Sequence, residues 1–300
     1  MKKAKINWAP YLFISPYFLM FLMFSVFPLG FSFYVSMTEW NGFTQPVFVG
    51  LQNYAGVIKD TLFHKAVGNT FILMAMIIPL QLLFGLVVAL FLTNRAMIWK
   101  SAFRLFNFLP YLTTPIAVGV IFGLMFDPYF GAVNEFLLNI GFIKKPIDWI
   151  MSIFPARSLV AIVTIWKYYG YTAVLFMAGI MNINVDLFEA SDLDGANTFQ
   201  TIWYITLPQL KQVTIFVVLT TLIGCFQIFE EPFMIFSQVA ARIVGGPSNA
   251  VLSGMWLFYN TAFANLMRYG YASAIAFMLF VIIGIVTIVF NKLLNTKEVD

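Results

Sequence analysis

Long apolar runs alternate with short polar connections along this chain, and the length of the runs decides what they can form. Segments 11–37, 67–92, 103–126, 159–182, 213–236 and 269–290 are each long and apolar enough to cross a bilayer as a helix, which takes about 20 residues. A membrane barrel needs strands of about ten residues that alternate apolar and polar positions, and these runs are continuous. The pattern predicts an all-α polytopic membrane protein, a single domain over 1–300 with six spans. Pro28, Pro79 and Pro115 fall inside runs, where neighbouring groups can satisfy the backbone that proline frees. Between the fourth and fifth runs lies a polar island, 183–208, that carries Asp186, Glu189, Asp192 and Asp194.

Composition agrees with lipid as the solvent. Hydrophobic residues make up 61% and charged residues 10% of the chain, against roughly 45–50% and about 25% in soluble domains. The net charge of +4 comes from basic residues scattered at the ends of runs, so no dense basic stripe points to nucleic acid. A single cysteine, Cys225, excludes an internal disulfide, and the lone His64, in a connection, excludes a His-pair metal site. The first run is too long for a cleavable secretory signal and lacks a small-residue cleavage site. Trp8, Trp40, Trp99 and Trp256 fall near span ends, where the indole ring suits the membrane–water interface.

Basic residues set the expected orientation. Lys2, Lys3, Lys5, Arg95, Lys100, Arg104, Lys211, Lys292 and Lys297 crowd short segments on one side. Lys59, Lys65, Lys144, Lys145, Arg157, Arg242 and Arg268 are spread through longer loops on the other. The density predicts both termini, and the island with them, in the cytoplasm.

Within the island, Asn184 is placed to cap a helix whose first turns hold Asp186 and Glu189, where the helix dipole favours acids. Leu187, Ala190 and Leu193 form a narrow apolar face, and Asp194-Gly195 reads as a stop. Thr198 opens a second short helix to Tyr204, and Pro208 ends it before the next span. Small Ala190, Ser191 and Ala196 allow close approach of a partner. The plain alternative is an amphipathic connection kept wet by its acids.

The spans on either side of the island carry polar stripes. Thr164, Lys167, Tyr168 and Tyr171 recur at helical spacing on the fourth, and Thr221, Gly224, Gln227, Ile228 and Glu231 on the fifth. Polar groups in hydrocarbon are costly and face a cavity or another helix. Tyr168, Tyr171, Thr221, Gln227 and Glu231 are therefore candidates to line a path, with interhelical hydrogen bonds and a Lys167–Glu231 pairing as the alternative. Aromatic faces beside amides and carboxylates suit a sugar.

The island resembles the Glu-Ala-Ala loop of ATP-binding-cassette (ABC) importer permeases of the binding-protein-dependent, carbohydrate-uptake family. Glu189, Ala190, Gly195, Ile205, Leu207 and Pro208 stand at that motif's spacing, with Ser191 where a third alanine is expected. Phe27-Pro28-Leu29, Gly50-Leu51-Gln52-Asn53-Tyr54, Arg104 with Leu109-Pro110, Gly245-Gly246-Pro247 and Tyr269–Ala274 extend the resemblance over nearly the whole chain; segment 237–244 is longer and more basic than the family's. The resemblance implies an inner-membrane permease of an ATP-driven importer for a carbohydrate, with no enzymatic activity of its own. It implies a second, homologous permease, two ATPase subunits that hold ATP and Mg, and an extracytoplasmic solute-binding protein. Glu189, Ala190, Ser191, Asp194, Gly195, Ile205, Leu207 and Pro208 would dock on the ATPase, and no cofactor or metal is expected in this chain. The sequence holds no Gly-x-x-x-x-Gly-Lys-Ser/Thr loop to bind nucleotide itself. Two rivals remain. Lys167 and Glu231 could serve an ion-coupled secondary transporter, and the acidic island a prenyl-transferase-like membrane enzyme, but the latter lacks a second acidic cluster.

Overall fold

The computed structural model describes residues 9–93, 99–239, 244–264 and 267–295. Lys2, Lys3, Lys5, Trp8, Arg95, Arg242 and Lys297 lie outside them, as do residues 240–243 of the stretch 237–244. Helix dominates because the apolar runs leave the backbone no partner but itself. The helices are α1 (Ala9–Phe21), α2 (Phe27–Ser36), α3 (Gln52–Lys59), α4 (Thr61–Thr93), α5 (Lys100–Leu112), α6 (Pro115–Met125), α7 (Ala132–Asn139) and α8 (Ile153–Met181). They continue with α9 (Val185–Leu193), α10 (Thr198–Thr201), α11 (Leu207–Gln209), α12 (Lys211–Gln227), α13 (Glu230–Val239), α14 (Gly254–Tyr259) and α15 (Tyr269–Asn295). A π-helical turn, Leu22–Val26, joins α1 to α2, so Pro10–Ser36 is one long apolar helix.

Among the described residues four helices are long and apolar enough to span: Pro10–Ser36, Thr61–Thr93, Ile153–Met181 and Tyr269–Leu294. Two expected spans differ from continuous rods. Segment 103–126 is broken between α5 and α6, which meet at 94°. Pro115 is the reason: it sits at the first turn of α6, and the residues before it are driven to extended backbone, with Thr114 at ψ 142°. Thr114 caps the new helix by accepting from the Ala117 amide at 3.4 Å. Segment 213–236 is also interrupted, at Ile228, whose ψ of 119° ends α12 before α13 begins. Pro79, in contrast, is carried inside an unbroken α4. His64 lies in the first turn of that helix rather than in a connection. Trp256 is 2% exposed and packs edge-on to Phe233, so it is a core residue and not an interfacial anchor, whereas Trp99 is exposed.

The contacts group the chain into two units. The first joins Met1–Asp60 to Phe258–Phe280. In it a short antiparallel pair, β1 (Thr38–Glu39) and β2 (Val47–Phe48), closes the exit of α2. The Asn53 amide donates to the carbonyls of Ser36 and Thr38 at 2.9 and 2.8 Å, which ties α3 back to that exit. The Gly50–Tyr54 motif is thus a structural staple.

The second unit, Thr61–Leu257 with Val281–Asp300, is built on α4 against α8. Small residues permit that closeness. A Cβ on Gly85 would collide with Thr172, and one on Gly170 would collide with the Asn107 carbonyl of α5. At one end, Ala89, Leu92, Phe176, Met177, Leu210 and Val217 form a buried cluster that joins α4, α8 and α12. Arg157, expected as a loop charge, instead works as a clamp. Its Nε donates to the Ala250 carbonyl at 3.0 Å and its Nη2 to Asn69 Oδ1 at 2.8 Å, while Asn69 Nδ2 donates to the Asn249 and Leu252 carbonyls. The clamp holds the turn at Gly245-Gly246, both at positive φ, where a side chain would be strained.

A Gly170→Val substitution should force α5 away from α8 and cost about 1–3 kcal/mol. The check is the thermal unfolding midpoint in detergent, which should fall by several degrees; an unchanged midpoint would mean that the two helices are not locked in contact.

Candidate functional site

A cavity of about 410 Å³ lies inside the second unit. Thr164, Tyr168 and Tyr171 of α8 line it, with Thr221, Gly224, Gln227, Ile228 and Glu231 from α12, the break and α13. Both sequence stripes therefore converge on one space. The exception is Lys167, which lies behind the wall. Its Nζ donates to Glu231 Oε1 at 2.5 Å, with both side chains 8% exposed, so pairing and cavity lining coexist. Glu231 does not reach the cavity by continuing the period of α12, as the spacing suggests. The chain breaks at Ile228, and Glu231 stands in the first turn of α13.

The geometry is aromatic on one side. Tyr111 of α5 stacks on Tyr171, with ring centroids 5.0 Å apart and planes at 16°, and meets Tyr168 edge-on at 5.8 Å. On the other side, buried Gln81 of α4 donates to Thr172 Oγ1 at 2.9 Å and to Thr221 Oγ1 at 3.4 Å. Tyr111, Gln81, Thr220 and Glu230 complete the polar lining. Sequence reasoning did not place these four in the wall. Gln81 carried a usable signal, since it is a lone amide inside an apolar run, where polar groups need a partner. Tyr111 did not, because its place in the wall comes from the packing of α5 against α8, which is tertiary. The arrangement offers ring faces, hydroxyls, amides and carboxylates to a hydroxylated guest. Among the described residues no group of His, Cys, Asp and Glu could hold a metal.

A second cavity, about 450 Å³, lies in the first unit beside Trp40, Gln52 and Arg268. Several of its polar atoms serve local structure: Trp40 Nε1 donates to the Thr44 carbonyl, and Arg268 stacks on Tyr271.

The island forms a helix–turn–helix. Asn184 Oδ1 accepts from the Asp186 amide at 3.1 Å and caps α9. Gly195 takes φ +73° immediately after the helix, the left-handed conformation that glycine adopts without strain. The second limb is capped by Asn197, in a reciprocal box with Gln200, and not by Thr198. It runs past Tyr204 as one helix, Thr198–Gln209, with Pro208 in the first turn of α11; the 66° bend comes later, at Leu210. Glu189, Ala190, Asp194, Gly195 and Pro208 are exposed, and Ile205 and Leu207 are half-buried. Ser191 turns inward: it is 5% exposed, and its hydroxyl donates to the Phe188 carbonyl at 2.8 Å. It braces the turn against the second limb, near Thr201, instead of presenting a small surface. Leu193, Phe199, Trp203 and Tyr204 are strongly exposed, with Phe199 stacked on Trp203.

An all-α multi-pass membrane protein with a polar cavity between helices that flank a structured loop is the architecture of a transport permease. The chain belongs to the family described as "Binding-protein-dependent transport system inner membrane component", whose model matches residues 64–298. Proteins of this family are transport components and not enzymes. The arabinooligosaccharides transport system permease protein of Bacillus subtilis (strain 168) is 33% identical over 95% of this chain and 88% of its own length. The lactose transport system permease protein of Rhizobium radiobacter is 28% identical over 92% and 91%. A bacterial ABC transporter involved in the import of the acidic polysaccharide alginate shares the fold, with a TM-score of 0.79 at 21% identity over 97% of this chain and 96% of that one.

Replacing Lys167 with Met leaves the Glu231 carboxylate buried without its cation. Loss of one partner of a buried pair costs roughly 3–5 kcal/mol. Unfolding by SDS in mixed micelles should show that loss, and Lys167→Met with Glu231→Leu should recover most of it. Equal stability of the single variant and the parent would contradict the pairing.

Proposed function

We propose that this chain is one of two permease subunits of an ATP-driven importer for carbohydrate, and that it contributes half of the translocation path. One observation carries the proposal. The helices that wall the cavity, α8 and α12, are the same two that enter and leave the island, so a displacement of the island is passed to the cavity along these two helices from the packed cluster around Leu210. Tyr168, Tyr171, Thr221, Gln227 and Glu231 line the path, with stacked rings for the apolar faces of a sugar and polar groups for its hydroxyl rim. The oligosaccharide and lactose permeases among the relatives support a carbohydrate cargo.

In this reading Glu189, Ala190, Asp194, Gly195, Ile205, Leu207 and Pro208 form the surface that docks on an ATPase subunit, and Ser191 holds its shape from within. The exposed Leu193, Phe199 and Trp203 support this, since large apolar side chains on an otherwise polar loop are characteristic of an interface. ATP and Mg reside on the two ATPase subunits, whose closure drives the loop as a rigid lever. A homologous permease forms the other half of the path. A solute-binding protein delivers cargo on the opposite face of the bacterial inner membrane, and both termini of this chain are cytoplasmic.

The test is co-purification. Gly195→Leu strains a left-handed position by roughly 1–2 kcal/mol, and Glu189→Lys reverses a docking charge; each should reduce recovery of the ATPase with the tagged permease severalfold. Full recovery with both variants would remove the docking role. Independently, Tyr171→Ala with Gln227→Ala should lower uptake in the assembled importer by at least about tenfold, since each lost contact contributes on the order of 1 kcal/mol; undiminished uptake would remove the path assignment.

A further inference from the structure

The charges around the cavity do not balance. Lys167 neutralises Glu231 in a buried pair. Glu230, the next residue, also lines the cavity; it is exposed to it and has no cationic partner among the described residues. Among the described residues, no Lys or Arg lines the cavity. The wall therefore carries one uncompensated negative charge beside neutral tyrosines and amides. We propose that this half of the path is selective for uncharged carbohydrate, and that Glu230 is the residue that rejects uronates and sugar phosphates. The proposal deepens the assignment of the cavity as the translocation path and rests on it.

Two physical effects act together. A carboxylate accepts hydrogen bonds from two adjacent hydroxyls of a neutral sugar, and such charge-assisted bonds are roughly twice as strong as neutral ones. A carboxylate or phosphate on the sugar would instead meet a like charge in a site partly shielded from water, where Coulomb repulsion is screened less than at an open surface. With no cation among the described lining residues to offset it, an anionic sugar loses both the hydrogen bonds and the charge balance.

The experiment uses the assembled importer in lipid nanodiscs without its solute-binding protein, so that the receptor's own selectivity does not enter. Binding of a neutral trisaccharide (maltotriose or arabinotriose) and of the galacturonic acid trimer is measured by saturation-transfer NMR. The parent should bind the neutral trimer in preference to the acidic one. Glu230→Gln, which keeps the shape and removes the charge, should raise the ratio of acidic to neutral affinity about tenfold, the discrimination of one like-charge contact at about 1.4 kcal/mol. A parent that binds both trimers equally, or a ratio unmoved by Glu230→Gln, overturns the proposal. Tyr171→Ala with Gln227→Ala separates the two levels. If neutral binding survives that pair, or the parent binds neither trimer, the path assignment itself fails. If neutral binding is lost but the Glu230→Gln ratio stays flat, only the charge filter falls.

Discussion

The Lys167–Glu231 pair is the interaction on which the site depends. Each ion has left water at a cost of several kcal/mol, and only its partner repays that. The pair joins the middle of α8 to the first turn of α13, across the point where the fifth apolar segment stops being helical at Ile228. A continuous helix through 228 would carry Glu231 around the cylinder in step with Gln227. The break lets the carboxylate reach Lys167 while Gln227 and Glu230 still face the cavity. Ion pair, break and cavity are thus one arrangement.

The other end of the same helices is held by apolar packing. Leu210, fully buried, sits at the 66° elbow between Thr198–Gln209 and α12 and is surrounded by Phe176, Met177 and Val217. Gly179 of α8 is where that approach is tightest, since a Cβ there would meet Leu210 Cδ2 at 2.7 Å. Densely packed cores respond to force by moving as bodies rather than deforming. A load on the island would therefore rotate α8 and α12 about a packed joint, with the polar cavity and its ion pair farther along the same two helices.

Much of this was legible in the sequence, for physical reasons that differ by residue. Span length and apolarity predicted membrane helices, because the hydrocarbon core sets a length that chance rarely meets. Helical spacing brought Thr164, Tyr168 and Tyr171 to one face, and the structure has all three in one cavity. Asn184 and Gly195 were readable because caps and left-handed stops are local chemistry. The breaks were not. The sequence alone lets Pro115 sit within a span, yet a proline in the first turn starts a helix as readily as it kinks one, and only tertiary packing decides. Pro208 predicts a break but is carried inside a helix, while the bend falls at Leu210, which has no sequence signature of its own. Ser191 read as a surface residue because small polar residues usually are; its bond to the Phe188 carbonyl depends on the second limb folding back. Trp256 belongs to the core for the same tertiary reason.

The central claim is that the loop and the cavity move as one body driven by nucleotide on a partner. Thiol accessibility in the assembled importer tests it most directly. With Cys225 replaced by Ser and a single cysteine introduced as Gln227→Cys, the rate of modification by a membrane-impermeant maleimide is compared between the nucleotide-free and ATP-trapped states. The account predicts a severalfold change in rate on trapping, and loss of that change when Glu189 is also replaced by Lys. A rate indifferent to nucleotide, in a complex that still hydrolyses ATP and transports, would contradict it.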